Sequence, residues 1–90
     1  MMLSLKTSTR FKKDLQKLLA QGKNYEKFRS ILETILNQQP IDPKYLDHPL
    51  IGNWKGRREL HIEPDWLLIY KIDDDILILE RTGTHRHLFS

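Results

Sequence analysis

The sequence predicts an α+β domain in which a helical hairpin packs on one face of an antiparallel sheet, in the order β-α-α-β-β-β. Two observations predict this class. Apolar residues recur at helical spacing in the first half of the chain and alternate with polar residues in the second half. Clusters of Gly, Pro and Asp separate the segments, and no repeat or linker interrupts them. The 90 residues therefore fit a single domain spanning 1–90.

The chain is expected to begin with a short strand followed by a helix. Leu3, Leu5 and Thr7 alternate with polar residues, which indicates the strand. Ser8 or Thr9 can cap the helix, because a hydroxyl oxygen at that position accepts a hydrogen bond from a free amide of the first turn. The apolar face of this helix is formed by Phe11, Leu15, Leu18 and Leu19.

A second helix is expected from about residue 24 to residue 38. Gly22 ends the first helix, and Pro40 and Pro43 end the second, because proline cannot donate a helical hydrogen bond. The link between the helices is short enough to predict an antiparallel hairpin. The apolar face of the second helix is formed by Tyr25, Phe28, Ile31, Leu32, Ile35 and Leu36.

The second half predicts a loop and then a three-stranded meander, since the apolar residues there follow a period of two. The expected segments are a loop at 40–52, strands at 53–62, 66–72 and 76 to about 85, and turns at 63–65 and 73–75. The helices should cover one face of this sheet. The other face should stay open, and a functional site could lie there.

The net charge of +3 is unevenly distributed. Residues 1–30 contain eight Lys and Arg against Asp14 and Glu26, whereas residues 41–80 contain five Lys and Arg against nine Asp and Glu. A basic segment attracts phosphate backbones or an acidic partner, although lysines also simply solvate helix faces. The lysines that are candidates for phosphate contacts are Lys12, Lys13, Lys17 and Lys23.

The composition restricts the chemistry and favours one compartment. Because the chain has no cysteine, it cannot form a disulfide bond or a thiolate metal site. No apolar run is long enough for a signal peptide or a membrane span. We therefore expect a cytoplasmic protein that does not engage a membrane.

The reactive side chains of the second half form one candidate constellation. They are His48, His61, Asp65, Arg81, His85 and His87. His61 and Asp65 flank a predicted turn, so neighbouring strands can bring them together. Arg81 and His85 share a face of the last strand, unless Gly83 introduces a bulge between them.

This constellation suits RNA cleavage, in which the 2′-hydroxyl beside the scissile phosphate is the nucleophile. Histidine titrates near pH 6.5 and can act as acid or base, and arginine matches phosphate oxygens. Aromatic side chains that could stack on bases are Trp54, Trp66, Tyr70 and Phe89. Two alternatives remain open from the residues alone: a zinc site, which lacks close two-plus-two ligand spacing, and ordinary polar residues at strand ends and turns.

Five short motifs resemble the YafQ toxins of the RelE/ParE superfamily. They are DHPL at 47–50, GNWKG at 52–56, HIEPDW at 61–66, LIYK at 68–71 and ERTGTH at 80–85. The resemblance covers nearly the whole chain and is densest from residue 47 to residue 89. It implies a RelE-like fold and a toxin that acts as a ribosome-dependent endoribonuclease, cutting mRNA in the ribosomal A site without a metal or organic cofactor. It also implies a cognate antitoxin that holds the toxin inactive in a hetero-oligomeric complex.

The resemblance also assigns roles to individual residues. The expected catalytic residues are His48, His61, Asp65 and His85. His85 is the expected general acid, and Arg81 stands where a phosphate-binding arginine is expected. Trp66 and Phe89 match aromatic residues near the site. His87 lies outside the motif and is interpreted as a surface residue.

Two other functions compete with the RNase. ParE-like relatives share the fold but poison gyrase by binding, and they generally lack this His/Asp set. A plain binding module, in which the histidines are incidental, is the third possibility. On the RNase hypothesis, the lysines of the first half contact ribosomal RNA.

Overall fold

The computed structural model describes residues 2–89. Its elements are β1 (Ser4–Thr7), α1 (Thr9–Ala20), α2 (Tyr25–Leu36), β2 (His48–Pro49), β3 (Arg58–Glu63), β4 (Trp66–Asp73), β5 (Ile76–Gly83) and α3 (His85–Phe89). Short 3-10 turns cover Pro43–Tyr45 and Gly52–Trp54. The predicted α+β class and the predicted order of the main elements are confirmed. None of the helices between residues 2 and 89 is long and apolar enough to cross a bilayer.

The five strands form one sheet in the order β1-β5-β4-β3-β2. The pairings β2–β3, β3–β4 and β4–β5 are antiparallel. The pairing of β1 with β5 is parallel, with Ser4 opposite Ile76 and Thr7 opposite Leu79. The antiparallel meander is therefore confirmed, and the parallel pairing of the first strand, which was not predicted, makes the sheet mixed at this edge. Parallel pairing needs a long connection between the two strands, and the helices together with the meander provide it.

Side-chain caps fix the starts of both long helices. Ser8 Oγ accepts from the amide of Phe11 at 2.9 Å and donates to the carbonyl of Glu80 at 2.7 Å. Asn24 Oδ1 accepts from the amide of Glu26 at 2.9 Å. The cap of α1 is thus Ser8, and the same hydroxyl ties the helix to β5.

The main core lies between the helices and one face of the sheet. Helix α1 packs on β5 and α2 packs on β3, and the two helices meet at the rings of Phe11 and Phe28, 5.7 Å apart. Leu60, Leu68 and Leu77 on the covered face of the sheet are fully buried. Burying each of these side chains stabilises the fold by about 1.5–3 kcal/mol.

The opposite face of the sheet is partly covered, contrary to the prediction of an open face. Leu67 and Ile69 on β4 are fully buried there, together with Leu88 of α3. Leu50, Trp54 and Phe89 pack around them and stay partly exposed. The cover exists because the chain turns back over this face after β5.

The last strand ends earlier than predicted and gives way to a helix. Tyr70 pairs with Leu79 but Ile69 pairs with Arg81, so Glu80 is an extra residue that forms a bulge. β5 stops at Gly83, and Thr84 Oγ1 caps α3 by accepting from a backbone amide at 3.1 Å. His85 therefore lies on α3 and does not share a strand face with Arg81, contrary to the prediction.

The segment before β3 also differs from the predictions. The strand expected at 53–62 begins at Arg58, because the Gly52–Trp54 turn and Gly56, with φ +93°, bend the chain first. The expected loop at 40–52 contains β2, a strand of two residues that brings His48 beside β3.

Candidate active site

Asp65 and His85 meet at one end of the sheet. Asp65 lies in the turn between β3 and β4, and its Oδ1 accepts a hydrogen bond from the amide of His85 at 3.0 Å. The register explains the meeting, because Gly83 at the end of β5 lies opposite Leu67 near the start of β4. Both residues are exposed. The carboxylate thus fixes the backbone of His85 and leaves its imidazole facing solvent.

An aromatic ledge flanks the imidazole of His85. The ring of Phe89 lies 5.0 Å from the His85 ring, and Trp54 contacts Phe89 edge-on at 6.0 Å. The guanidinium of Arg57 lies 5.9 Å from the centre of the Trp54 ring. Phe89 and Trp54 are both partly exposed. The ledge therefore presents ring surface next to a titratable group, which suits the stacking of an unpaired base.

His48 and His61 lie on either side of Glu59, a residue that the sequence analysis missed. Glu59 is 5% exposed. Its Oε2 lies 3.9 Å from His48 Nε2, and its Oε1 lies 3.6 Å from His61 Nε2. Each histidine places its Nδ1 near a backbone carbonyl, at 2.8 Å from Leu46 and 3.1 Å from Pro64. A carbonyl partner favours the proton on Nδ1, so Nε2 is the nitrogen that can accept a proton beside a carboxylate.

Strand β4 separates these two groups. His61 is opposite Leu67, and Leu67 is opposite Gly83, so two strand spacings, roughly 10 Å, separate the backbone of His61 from the end of β5. No hydrogen bond or ion pair between residues 2 and 89 joins the His48–Glu59–His61 group directly to His85. The structure therefore presents two separate sets of titratable groups on one side of the molecule.

Arg81 is bound to Asp14 of α1, a second residue that the sequence analysis missed. Arg81 Nε donates to Asp14 Oδ2 at 2.7 Å, and Nη2 donates to Oδ1 at 3.1 Å. The same carboxylate accepts from the amide of Thr82 at 3.2 Å. The two side chains are 11% and 8% exposed. This fork uses two of the five N–H donors of the guanidinium and leaves the Nη1 amino group for another ligand.

The pair changes the pKa of both partners. Burial raises the pKa of Asp14, but the hydrogen bonds from Arg81 and the Thr82 amide, with the charges of Arg81 and His87, outweigh burial and leave the pKa below its usual value. The hydrogen bond and charge of Asp14 raise the pKa of Arg81, against the effect of burial. His87 belongs to the same cluster, since its Nε2 lies 3.7 Å from Asp14 Oδ1.

Trp66 cannot stack on a base in this structure, so that expectation was wrong. Its side chain is completely buried in the main core. The indole N–H donates to Thr82 Oγ1 at 2.9 Å, and that hydroxyl donates to the carbonyl of Leu67 at 2.7 Å. Tyr70 is also core, with its hydroxyl 2.6 Å from Asp47, and burial followed by the bond to Asp47 raises its pKa. Of the four aromatic candidates for stacking, Trp54 and Phe89 remain accessible.

The four candidate lysines differ in their surroundings. Lys23 and Lys27 both pair with Glu63, at 2.9 and 2.8 Å, and their hydrogen bonds lower the pKa of that carboxyl. The charge of Lys23 is therefore compensated. Exposed lysines on α1 that form no ion pair within the described chain are Lys12, Lys13 and Lys17.

The zinc alternative finds no support in the arrangement of the ligands. Among residues 2–89, no three His, Cys, Asp or Glu side chains are grouped so that they could hold a metal ion. His48 and His61 both lie beside Glu59 without a further ligand in the described part of the chain, whereas His85 lies beside Phe89 and His87 lies beside Asp14. The four histidines are thus divided among three clusters.

Comparison with known proteins identifies the class to which this fold and these residues belong. Residues 3–90 match the family model described as the bacterial toxin of type II toxin-antitoxin system, YafQ. The chain is 43% identical to the mRNA interferase toxin YafQ of Escherichia coli K12 over 83 residues, which cover 91% of this chain and 90% of that protein. The chain therefore belongs to the YafQ family of bacterial toxins.

Solved structures show the same fold. A copper-bound mutant toxin from Helicobacter pylori is 43% identical, with a TM-score of 0.94, over 98% of this chain and all of that one. The E. coli DinJ-YafQ toxin-antitoxin complex contains a chain that is 40% identical, with a TM-score of 0.91 and full coverage of both chains. These similarities confirm the predicted RelE-like fold.

Proposed function

We propose that this YafQ-family toxin cleaves mRNA in the ribosomal A site by metal-independent attack of the substrate's own 2′-hydroxyl. As a toxin of a type II toxin-antitoxin system, it is an endoribonuclease of the mRNA interferase class. The observation that carries the mechanism is the 3.0 Å hydrogen bond from the His85 amide to Asp65, because it fixes the backbone of a residue whose exposed imidazole lies beside the aromatic ledge.

His85 acts as the general acid in this mechanism. Its imidazolium gives a proton to the 5′-oxygen that leaves when the P–O bond breaks. Asp65 positions the residue through the backbone, so the ring itself stays free to reach the leaving group. Phe89 and Trp54 hold the neighbouring base by stacking.

The His48–Glu59–His61 group accepts the proton of the 2′-hydroxyl. Glu59 lies 3.6 and 3.9 Å from the two Nε2 atoms, so its negative charge stabilises whichever imidazolium forms. Strand β4 separates this group from His85 on α3. This separation supports a base and an acid that act from opposite sides of the scissile phosphate. Arg81 supplies positive charge for the phosphorane through the donors that Asp14 leaves free.

The proposed partners are the 70S ribosome with its mRNA, and a cognate antitoxin. E. coli YafQ is known in a complex with DinJ, and the chain of that complex superposes on this one over its full length. This likeness supports an antitoxin that binds the toxin in a hetero-oligomer and keeps it inactive.

Mapping of mRNA 5′ ends in a translating extract tests the function. The wild-type toxin should create new 5′ ends within codons in the A site, and His85→Ala should reduce them by about 10²–10⁴-fold, the usual loss for a general acid. The variant should keep the wild-type melting temperature and antitoxin binding, because the His85 side chain is exposed. Near-wild-type cleavage by the variant would rule out the role of His85. Inhibition of gyrase without new 5′ ends would instead favour the ParE-like alternative.

A further inference from the structure

A cleft beside α3 contains none of the residues of the aromatic ledge. It has a volume of about 390 Å³ and is lined by residues of α1, of the end of β5 and of α3. Lys17 and Gln21 line it from α1 and the residue that ends that helix, and Thr84, Arg86 and His87 line it from the other side. The catalytic candidate His85 immediately precedes Arg86 on a helix of five residues, only about 7.5 Å long. A short stretch of RNA at His85 can therefore also reach the cleft.

The cleft carries positive charge that the protein does not compensate. Asp14 is the acidic residue among its lining residues, and the fork from Arg81 already neutralises this carboxylate. Lys17 and Arg86 are exposed, and neither forms an ion pair or side-chain hydrogen bond within residues 2–89. Two uncompensated cations from different elements thus line the cleft, together with Thr84 as a further polar residue.

We propose that this cleft is an RNA subsite that holds the phosphate adjacent to the scissile one. The inference rests on the proposed function and extends it by assigning Lys17 and Arg86 to the substrate. Lys17 and Arg86 come from different elements and can both bind one phosphodiester. The other exposed lysines of α1 lie outside the cleft. The contact reads no base, because phosphate is present at every position.

Neutral phosphate analogues on ribosome-bound mRNA test this subsite. Short synthetic mRNAs would carry a single methylphosphonate at the phosphate on the 5′ or the 3′ side of the cut. Their cleavage on programmed ribosomes would be compared with that of the unmodified mRNA. The wild-type toxin should lose about 10-fold in kcat/KM at one of the two positions, the usual weight of a charge-assisted hydrogen bond. The Lys17→Gln/Arg86→Gln double variant should cleave modified and unmodified mRNA equally well.

The matched control is Arg10→Gln/Lys13→Gln, which removes the same charge from exposed positions of α1 outside the cleft. It should keep the wild-type sensitivity to the methylphosphonate, even if its overall affinity for the ribosome falls. Lys17→Arg should keep this sensitivity as well, because it keeps the charge.

Three results would overturn the subsite. In the first, the wild-type toxin cleaves both methylphosphonate mRNAs as fast as the unmodified mRNA. In the second, the Lys17→Gln/Arg86→Gln variant loses as much activity on the modified mRNA as wild type does. In the third, this variant loses only antitoxin binding, which would assign the cleft to the antitoxin. Each of these results requires a wild-type toxin that cuts the unmodified mRNA. A wild-type toxin that does not cut it would refute the proposed function instead.

Discussion

Trp54 and Trp66 have the same side chain in opposite environments. Trp66 is completely buried, with its indole N–H bonded to Thr82, whereas Trp54 is partly exposed on the ledge beside Phe89. The sequence offered both as stacking candidates, because an aromatic residue in an alternating segment can face either side of a sheet. The difference in burial shows that Trp66 belongs to the core and that Trp54 is available to a ligand.

Alanine substitutions at the two tryptophans should therefore have different effects. Trp66→Ala should cost about 3–5 kcal/mol of unfolding free energy, as large core truncations do. Trp54→Ala should cost much less stability but should slow mRNA cleavage by about 10-fold or more, since stacking contributes about 1–3 kcal/mol per base. Urea unfolding and a ribosome cleavage assay on both variants measure this difference. A Trp54→Ala toxin with full activity would remove the ledge from the site.

Of the two contacts that Glu59 makes with histidines, only the one with His61 could have been predicted from the sequence. It stands two residues before His61 on a strand, so the period of two already places both on one face. The sequence did not reveal β2, a strand of two residues that sets His48 opposite Glu59. So short an element has no periodicity to detect.

At the scale of elements, the contact of Asp14 with Arg81 and Thr82 joins α1 to β5. Asp14 is 67 positions from Arg81 and 68 from Thr82 in the sequence. The backbone amide of Thr82 on β5 donates to this carboxylate of α1. The long helices, the β3–β4 turn and the strand β4 were predictable because their patterns are local. This contact was not, because Asp14 reads in the sequence as an ordinary charge on a helix.

The Asp14 contact should make stability depend on pH in a specific direction. The pKa of folded Asp14 lies below its ordinary value of 3.8, so its contribution is complete above about pH 4 and is lost as the pH falls through the folded pKa. At pH 6, Asp14→Ala should cost about 3 kcal/mol or more, because the nearly buried Arg81 loses its partner. Urea unfolding at pH 6 and pH 2.5 should show this difference from wild type shrinking in acid. A difference independent of pH would contradict the ion pair.

Helix α3 was the largest error of element type. The last strand was expected to continue to residue 85, but the bulge at Glu80 and the Thr84 cap end it and start a helix. Thr84 does precede a possible helical turn, yet five residues give too short a pattern to distinguish helix from strand. The predicted site residue His85 kept its place near Asp65 only because the turn between β3 and β4 reaches the same end of the sheet.

Across the whole molecule, positive charge is concentrated in the helical half of the chain. Lys12, Lys13 and Lys17 project from α1 without ion pairs in the described chain, whereas Lys23 is bound to Glu63. We propose that Lys12 and Lys13 contact ribosomal RNA, in keeping with a toxin that works on a large polyanion, and that Lys17, which we assign to an mRNA phosphate, adds to the same positive surface. The charge imbalance was visible in the sequence. The sequence could not show which lysines are already paired.

A Lys12/Lys13/Lys17→Gln triple variant tests this contact. Its ribosome affinity should fall, and the slope of log affinity against log salt should decrease by about 0.7–0.9 for each phosphate that the variant no longer binds. The cut sites should not move, because phosphate contacts carry no sequence information. Lys23→Gln is the control, and it should leave the slope nearly unchanged. A triple variant with the wild-type slope would show that these lysines do not contact ribosomal RNA.

The proposed mechanism depends most on His85, which protonates the leaving 5′-oxygen of the mRNA. A substrate with sulfur in place of that oxygen isolates this step, because a thiolate leaves without a proton. Single-turnover cleavage of ribosome-bound mRNA would be measured for wild type and His85→Ala on both substrates. We expect a loss of about 10²–10⁴-fold on the oxygen substrate and nearly equal rates for the two toxins on the sulfur substrate. An equal loss on both substrates would contradict a general acid at His85.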